Sequence, residues 1–274
     1  MYGIHTMKQL TIELTHKCKL NCIHCSSSYI KSELTLDDIR EILDRYNIDK
    51  IVLSGGEPLS HPQFDKILLY LTSRYKISLN TCGVNLSSGI RFIDDIKLDL
   101  LHNFNKIYVS IYSDEKIHNE ITRSKSFKDT VQFFTLARVL FSQLHRDSND
   151  IIINTPVFSA LQVKKLVDLF SVYKYYYNEE DYLRRLDYKI HFIRLIPHGR
   201  AENISILSRR KQLEIAHKYK KEFPNNILIS NSLSHKKCNA KNKLTLLPDK
   251  KLIHCVAGKH LEGEEKVNYI CDLV

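Results

Sequence analysis

Apolar positions in this chain follow two periods that take turns. Short β-branched runs read as strands: "KQLTIEL" (8–14), "KIVLSGGEP" (50–58), "KISLNTCG" (76–83), "KIYVSIYS" (106–113), "DIIINTPV" (150–157) and "KIHFIRLIP" (189–197). After each of them the apolar residues recur at helical spacing, over 35–47, 62–75, around 89–100, 126–144, 161–174 and 208–223. Thr35 stands where an N-cap belongs, with acids in the turn that follows. Strands that are apolar almost throughout, each followed by a helix, predict a parallel sheet covered by helices. Eight such units close a full barrel, so six predict an α/β fold of the partial (β/α)6 TIM-like barrel type, open along one side.

After residue 225 the period changes. "NILIS" (226–230), "KLTLLPD" (243–249) and "KLIHC" (251–255) read as short strands, the last two joined by a turn at "PDKK". The expected organisation is a barrel over 1–224 and a small β-hairpin cap over 225–274 that carries its own cysteines.

Composition narrows this picture. At 274 residues and 43% hydrophobic the chain can bury a large core. No run of 18 apolar residues occurs, and "MYGIHTMKQLTIEL" lacks the layout of a signal peptide, so the expectation is a soluble cytoplasmic protein with no membrane partner. The excess of 41 Lys+Arg over 31 Asp+Glu favours anionic partners. The lysines are nevertheless spread along helical stretches such as "HKYKKEF" (217–223), without a basic stripe interleaved with aromatics, which argues against nucleic acid. Seven cysteines grouped as Cys18, Cys22, Cys25 in front, Cys238, Cys255, Cys271 behind and Cys82 alone do not form a secreted disulfide pattern. Clustered thiols in a reducing compartment point to metal.

The front group, "THKCKLNCIHCSSS" (15–28), follows the first strand, hence the sheet end where active sites gather. Thiolates spaced CxxxCxxC can take three irons of one cubane cluster and leave the fourth iron open. The alternative is a structural zinc completed by His16 or His24. "SGGEP" (54–58) after the second strand lies at the same end; its glycines permit close backbone approach by a ligand, and Glu57 can accept from an ammonium group.

CxxxCxxC on the first loop with GGEP on the second, inside a repeated βα pattern, resembles the radical S-adenosylmethionine (SAM) enzymes. The resemblance implies that Cys18, Cys22 and Cys25 bind a [4Fe–4S] cluster whose open iron is chelated by the amino and carboxylate groups of SAM. It also implies that Gly55, Gly56 and Glu57 hold the methionine ammonium. "YVSIYSDEKIHNEITRSKSF" (108–127) resembles a further family segment, in which Ser110 would contact SAM and Arg123 its carboxylate; Tyr112 and Ser113 replace the usual Asp-Gly. Asn154 and "RLIPHGRA" (194–201) stand where relatives touch ribose and adenine. "NTCG" (80–83) resembles the family's "TNG", which makes Cys82 a candidate hydrogen-atom donor or substrate contact, against the plainer alternative of inert packing.

The tail stretch "LTLLPDKKLIHC" resembles the hairpin of SPASM and twitch domains, shortened. This implies one auxiliary iron–sulfur cluster on Cys238, Cys255 and Cys271, with His235, His254 or His260 as possible completing ligands and zinc or unligated thiols as the alternative. The resemblance further implies reductive cleavage of SAM to a 5′-deoxyadenosyl radical, a flavodoxin- or ferredoxin-type reductant, and a ribosomally made peptide as substrate, with either a separate leader-binding protein or a short leader. The competing expectation is a small molecule such as a sugar, nucleotide or antibiotic precursor. The GTP cyclase of molybdopterin synthesis also carries three auxiliary cysteines, but its Gly-Gly tail is not found in "YICDLV".

Overall fold

The computed structural model describes residues 5–27, 30–84, 98–147, 150–172, 188–234 and 243–253. The chain forms two compact units, one from Met1–Lys19, Ser26–Tyr108 and Lys237–Leu273, the other chiefly from Leu20–Cys25 and Val109–Lys236.

In the first unit, β1 (His5–Met7) leads into β2 (Gln9–Glu13), followed by α1 (Leu36–Leu43), β3 (Tyr46–Ile48), β4 (Lys50–Ser54), α2 (Phe64–Thr72) and β5 (Lys76–Thr81). β2, β4 and β5 are neighbours in a parallel sheet, with Ile12 opposite Leu53 and Leu53 opposite Leu79. Ile51, Leu53, Ile77 and Leu79 are fully buried, together with Ile67, Leu68 and Leu71 of α2. A covered parallel sheet asks for such continuous apolar strands, each buried Leu or Ile contributing about 1.5–3 kcal/mol. Thr35 caps α1 as expected, in a capping box: its hydroxyl accepts from Asp38 N at 3.2 Å and Asp38 Oδ2 accepts from Thr35 N at 2.8 Å. That helix stops at Leu43 because Tyr46–Ile48 pairs in parallel with His5–Met7, a strand pair the periodicity did not announce.

The tail contributes to this sheet. β10 (Lys243–Leu246) lies parallel beside β2 and antiparallel to β11 (Leu252–Ile253). The expected hairpin is present, and its turn holds Lys250 at φ 67° where glycine is usual. The Lys250 ammonium meets Asp38 Oδ1 at 2.6 Å, tying the turn to the capping box of α1.

β6 (Lys106–Ser110) begins in the first unit and ends in the second. The second unit continues with α3 (Glu115–Thr122), α4 (Phe127–Gln143), β7 (Ile151–Pro156), α5 (Ala160–Val172), β8 (Lys189–Ile193), α6 (Arg209–Glu222), β9 (Ile227–Ile229) and a last turn, α7 (Asn231–Ser234). β7, β8 and β9 are parallel neighbours. The strand-helix alternation therefore runs one strand further than expected, because "NILIS" joins β8. α3 was also not anticipated, although Asp114 caps it by accepting from Ile117 N at 3.1 Å. Of the helix expected around 89–100, residues Leu98–Asn103 form a 3-10 helix and 89–97 lie outside the described residues.

The α/β class with parallel strands is thus the observed one, consistent with a partial barrel. Among the described residues no helix is long and apolar enough to cross a membrane.

Candidate active site

In the first unit the loops after β2, β4 and β5 meet. Gly56 N donates to Thr15 O at 2.6 Å and Glu57 N donates to Lys17 O at 2.9 Å. The glycines make this approach possible: a Cβ at Gly55 would stand 2.3 Å from Thr15 O, and one at Gly56 2.3 Å from Lys17 O. Gly55 also sits at φ 130°, which only glycine adopts without strain. The close approach expected of a ligand is made here by the backbone of the cysteine loop itself.

Glu57 is buried, and its carboxylate is surrounded by donors from the chain. Oε1 accepts from Leu59 N at 3.1 Å and from the Thr81 hydroxyl at 2.7 Å; Oε2 accepts from Cys82 N at 2.8 Å and faces the Cys82 thiol at 2.9 Å. Burial pushes the carboxyl upward in pKa, and these hydrogen bonds oppose the rise. The Cys82 thiol is pushed well above its ordinary value by its hydrogen bond with the Cys18 side chain, then by burial and by the Glu57 charge. Gly83 N donates to Thr81 Oγ1 at 2.9 Å, closing the corner.

Of the histidines expected to complete a zinc site, His16 has both ring nitrogens engaged. Ile30 N donates to Nδ1 at 3.3 Å, which places the proton on Nε2, where it is donated to the buried Glu13 carboxylate at 2.5 Å. His24, in the second unit, packs edge-on against Tyr112 and Phe158 at ring-centroid distances of 4.8 and 5.2 Å. Burial, then the Arg200 and His118 charges, lowers its pKa to about 4.

The second unit holds Cys22 and Cys25 by their backbones. Asn21 N and Ile23 N donate to Thr122 O and Ile121 O at the end of α3, at 3.1 and 2.9 Å. From the "PHGRA" stretch, Arg200 Nε donates to Cys22 O at 2.8 Å and Arg200 N to Cys25 O at 3.1 Å. Arg200 was expected near ribose or adenine; the structure makes it an anchor of the cysteine loop, and the motif offered no sign of that partner. Behind α3, the buried His118 accepts from Tyr112 N at 3.3 Å and faces the Ser126 hydroxyl at 3.3 Å, with its pKa lowered by burial to about 4.

Ser110 is half-buried at the end of β6. Arg123 caps α3 in the left-handed region at φ 51°, with its side chain exposed. Asn154 Oδ1 lies 3.0 Å from His191 Nδ1 on the neighbouring strand. Cys18 is exposed and Cys22, Cys25 and Cys82 are half-buried, and none of the four is in a disulfide. Among the described residues no three His, Cys, Asp or Glu side chains converge on a single ion; a cubane instead places each thiolate on its own iron. Cys238, Cys255 and Cys271, with His235, His254 and His260, lie outside the described residues.

A parallel α/β sheet with a thiol-bearing loop braced at the strand ends defines the class of protein. Residues 12–170 match the model of the Radical SAM superfamily, and the chain belongs to that family. Membership implies a [4Fe–4S] cluster and SAM. The chain is 24% identical over 226 residues to the GTP 3′,8-cyclase of Clostridium perfringens, covering 77% of this chain and 62% of the relative. It is 36% identical over 104 residues to the probable GTP 3′,8-cyclase of Methanocella arvoryzae, covering 36% of this chain and 34% of the relative. The mycofactocin maturase MftC of Mycobacterium ulcerans is 32% identical over 96 residues, 32% of this chain and 26% of that one. The chain thus spans between about a quarter and three fifths of the length of these relatives.

Among solved structures, Streptococcus suis SuiB bound to its precursor peptide SuiA superposes with a TM-score of 0.68 at 14% identity, covering 94% of this chain and 61% of that one. The anSMEcpe structure with bound AdoMet and a Kp18Cys peptide gives 0.59 at 17% identity, covering 90% and 74%. Both show the likeness of fold.

Proposed function

We propose that Cys18, Cys22 and Cys25 hold the family's [4Fe–4S] cluster and that the enzyme removes a hydrogen atom from a ribosomally made peptide. The donor set fits the cluster: three cysteines outside any disulfide on one loop, braced from Thr15 to Cys25, with His16 committed elsewhere. When bound, the cluster and SAM supply the reductive cleavage that yields methionine and the 5′-deoxyadenosyl radical. The chain's part is to place SAM and substrate and to exclude water.

Because the chain's own donors already surround the Glu57 carboxylate, we assign the methionine ammonium to the carbonyls of Gly55 and Gly56, with Glu57 acting through the loops it joins. Arg123 presents an exposed guanidinium from a strained backbone position, a device that clusters at ligand clamps, and suits the carboxylate of SAM. Ser110 contacts SAM, and Asn154, its oxygen turned to His191, offers its amide N–H groups to the ribose. Cys238, Cys255 and Cys271 hold an auxiliary cluster in a twitch-like tail. A flavodoxin- or ferredoxin-type protein delivers the electron, and a separate protein presents the peptide leader.

What supports a peptide is the fold shared, over nine tenths of the chain, with two enzymes whose structures carry peptides, together with the MftC likeness. The likeness to GTP 3′,8-cyclases over 77% of the chain favours a second reading, a purine nucleotide as substrate.

Anaerobic reconstitution, reduction and quantification of 5′-deoxyadenosine test the chemistry. Cys18→Ala, Cys22→Ala and Cys25→Ala are each expected to abolish it, and continued SAM cleavage in any of them overturns the assignment. Peptides from short reading frames beside the gene should stimulate cleavage and change in mass, whereas stimulation by GTP alone would establish the nucleotide. Replacing Cys238, Cys255 and Cys271 should lower iron from about eight to about four per chain; an unchanged count would remove the auxiliary cluster.

A further inference from the structure

Asn154 and His191 stand opposite each other on β7 and β8, which are parallel neighbours. Both are half-buried, and the residues on either side of them are fully buried: Ile153 and Thr155 on β7, Ile190 and Phe192 on β8. Alternation along a strand turns those four to the other face of the sheet. Their packing fixes both backbones, and the rotation of the Asn154 amide about its last side-chain bond is the freedom left over. His191 removes it, because its Nδ1 lies 3.0 Å from Asn154 Oδ1. A carbonyl oxygen only accepts, so the proton of this bond sits on Nδ1, and the ring donates there whether or not Nε2 also carries a proton. With its oxygen held, the amide turns its N–H groups away from His191.

We propose that His191 is a positioning residue for the ribose of SAM: by donating to Asn154 Oδ1 it keeps the Asn154 amide in the one orientation that offers its N–H groups to a ribose hydroxyl. This rests on the ribose assignment made above. An amide that turns freely meets the same hydroxyl only after losing that freedom, and the cost of ordering it then falls on binding. His191 acts through Asn154 and takes no part in the cleavage of SAM.

The test compares SAM with its 2′,3′-dideoxy analogue, which keeps the methionine part and lacks both ribose hydroxyls, by equilibrium dialysis against the anaerobically reconstituted full chain. The wild type should prefer SAM by about tenfold. His191→Ala should lower that preference about threefold, with affinity for the analogue unchanged. In His191→Asn, whose amide nitrogen stands near the place of Nδ1, the preference should stay at the wild-type value. Asn154→Ala should lower it at least as far as His191→Ala does, and combining the two should lower it no further. In the protein without SAM, nitrogen-15 magnetic resonance should find the His191 proton on Nδ1, the signal being identified by its loss in His191→Asn. A preference unchanged in His191→Ala overturns the proposal, as does an equal weakening of both ligands, which is what lost packing alone would produce. A His191→Asn preference as low as that of His191→Ala, or a ring proton on Nε2 alone, overturns it as well. If Asn154→Ala loses the preference and His191→Ala keeps it, only this inference fails. If Asn154→Ala keeps it, the ribose assignment fails too, and if the wild type binds no SAM, the cluster assignment fails with both.

Discussion

Gly56 allows the loop after β4 to press against the loop that carries the cysteines. In Gly56→Ala the new Cβ would stand 2.3 Å from Lys17 O and 2.7 Å from His16 O, both backbone atoms that move only if the cysteine loop moves. The variant should lose about 3 kcal/mol of stability. It should also bind less iron, measured by denaturant unfolding and by iron content after reconstitution. Wild-type values for both would mean that the loops tolerate separation. The residue types of this corner were legible in "SGGEP", down to the need for close approach. What approaches was not legible, since Thr15 and Lys17 lie about forty positions away and contribute backbone atoms, which leave no trace in residue type. His16 illustrates the same limit: its bond to Glu13 depends on both side chains turning inward, and spacing alone left it a candidate metal ligand.

At the scale of elements, the cysteine loop borrows its second support from α3 and from the turn after β8. Arg200→Ala removes the Nε bond to Cys22 O while keeping the backbone bond to Cys25 O. The expected result is a loop that folds but releases iron several-fold faster to a chelator. Arg200→Lys should behave like the alanine variant, because an ammonium does not reproduce the fixed fork of the guanidinium. Release at the wild-type rate would show that α3 suffices. The long elements could be read from period alone: strands of five or six largely apolar residues and helices of nine to seventeen fall where their patterns predict. β3 and α3 could not. β3 has three residues, and α3 offers only Ile117 and Ile121 as apolar anchors in eight positions, too few to set a period.

For the molecule as a whole, acid should act through His24, whose pKa is equally lowered, and through His118. Its pKa in the folded protein is about 4, against 6.5 for an unperturbed imidazole, so the unfolded chain takes up the proton first as pH falls. Stability from this group is complete above pH 6.5 and is lost as pH drops toward 4, by an amount on the order of 3 kcal/mol. Urea unfolding across this range should show that loss in the wild type. His118→Gln should be weaker at neutral pH, having lost bonds to Tyr112 N and Ser126, but flatter with pH. Equal slopes in the two proteins would place the acid sensitivity elsewhere.

The pairing of β10 with β2 also sets an order of events during synthesis. The strand that leads into the cysteine loop leaves the ribosome more than two hundred residues before its neighbour on one side. Until then that edge is unpaired backbone, open to wrong strands and to chaperones. Iron delivered to the nascent chain before β10 emerges would therefore meet the thiols while one edge of their scaffold is still unpaired.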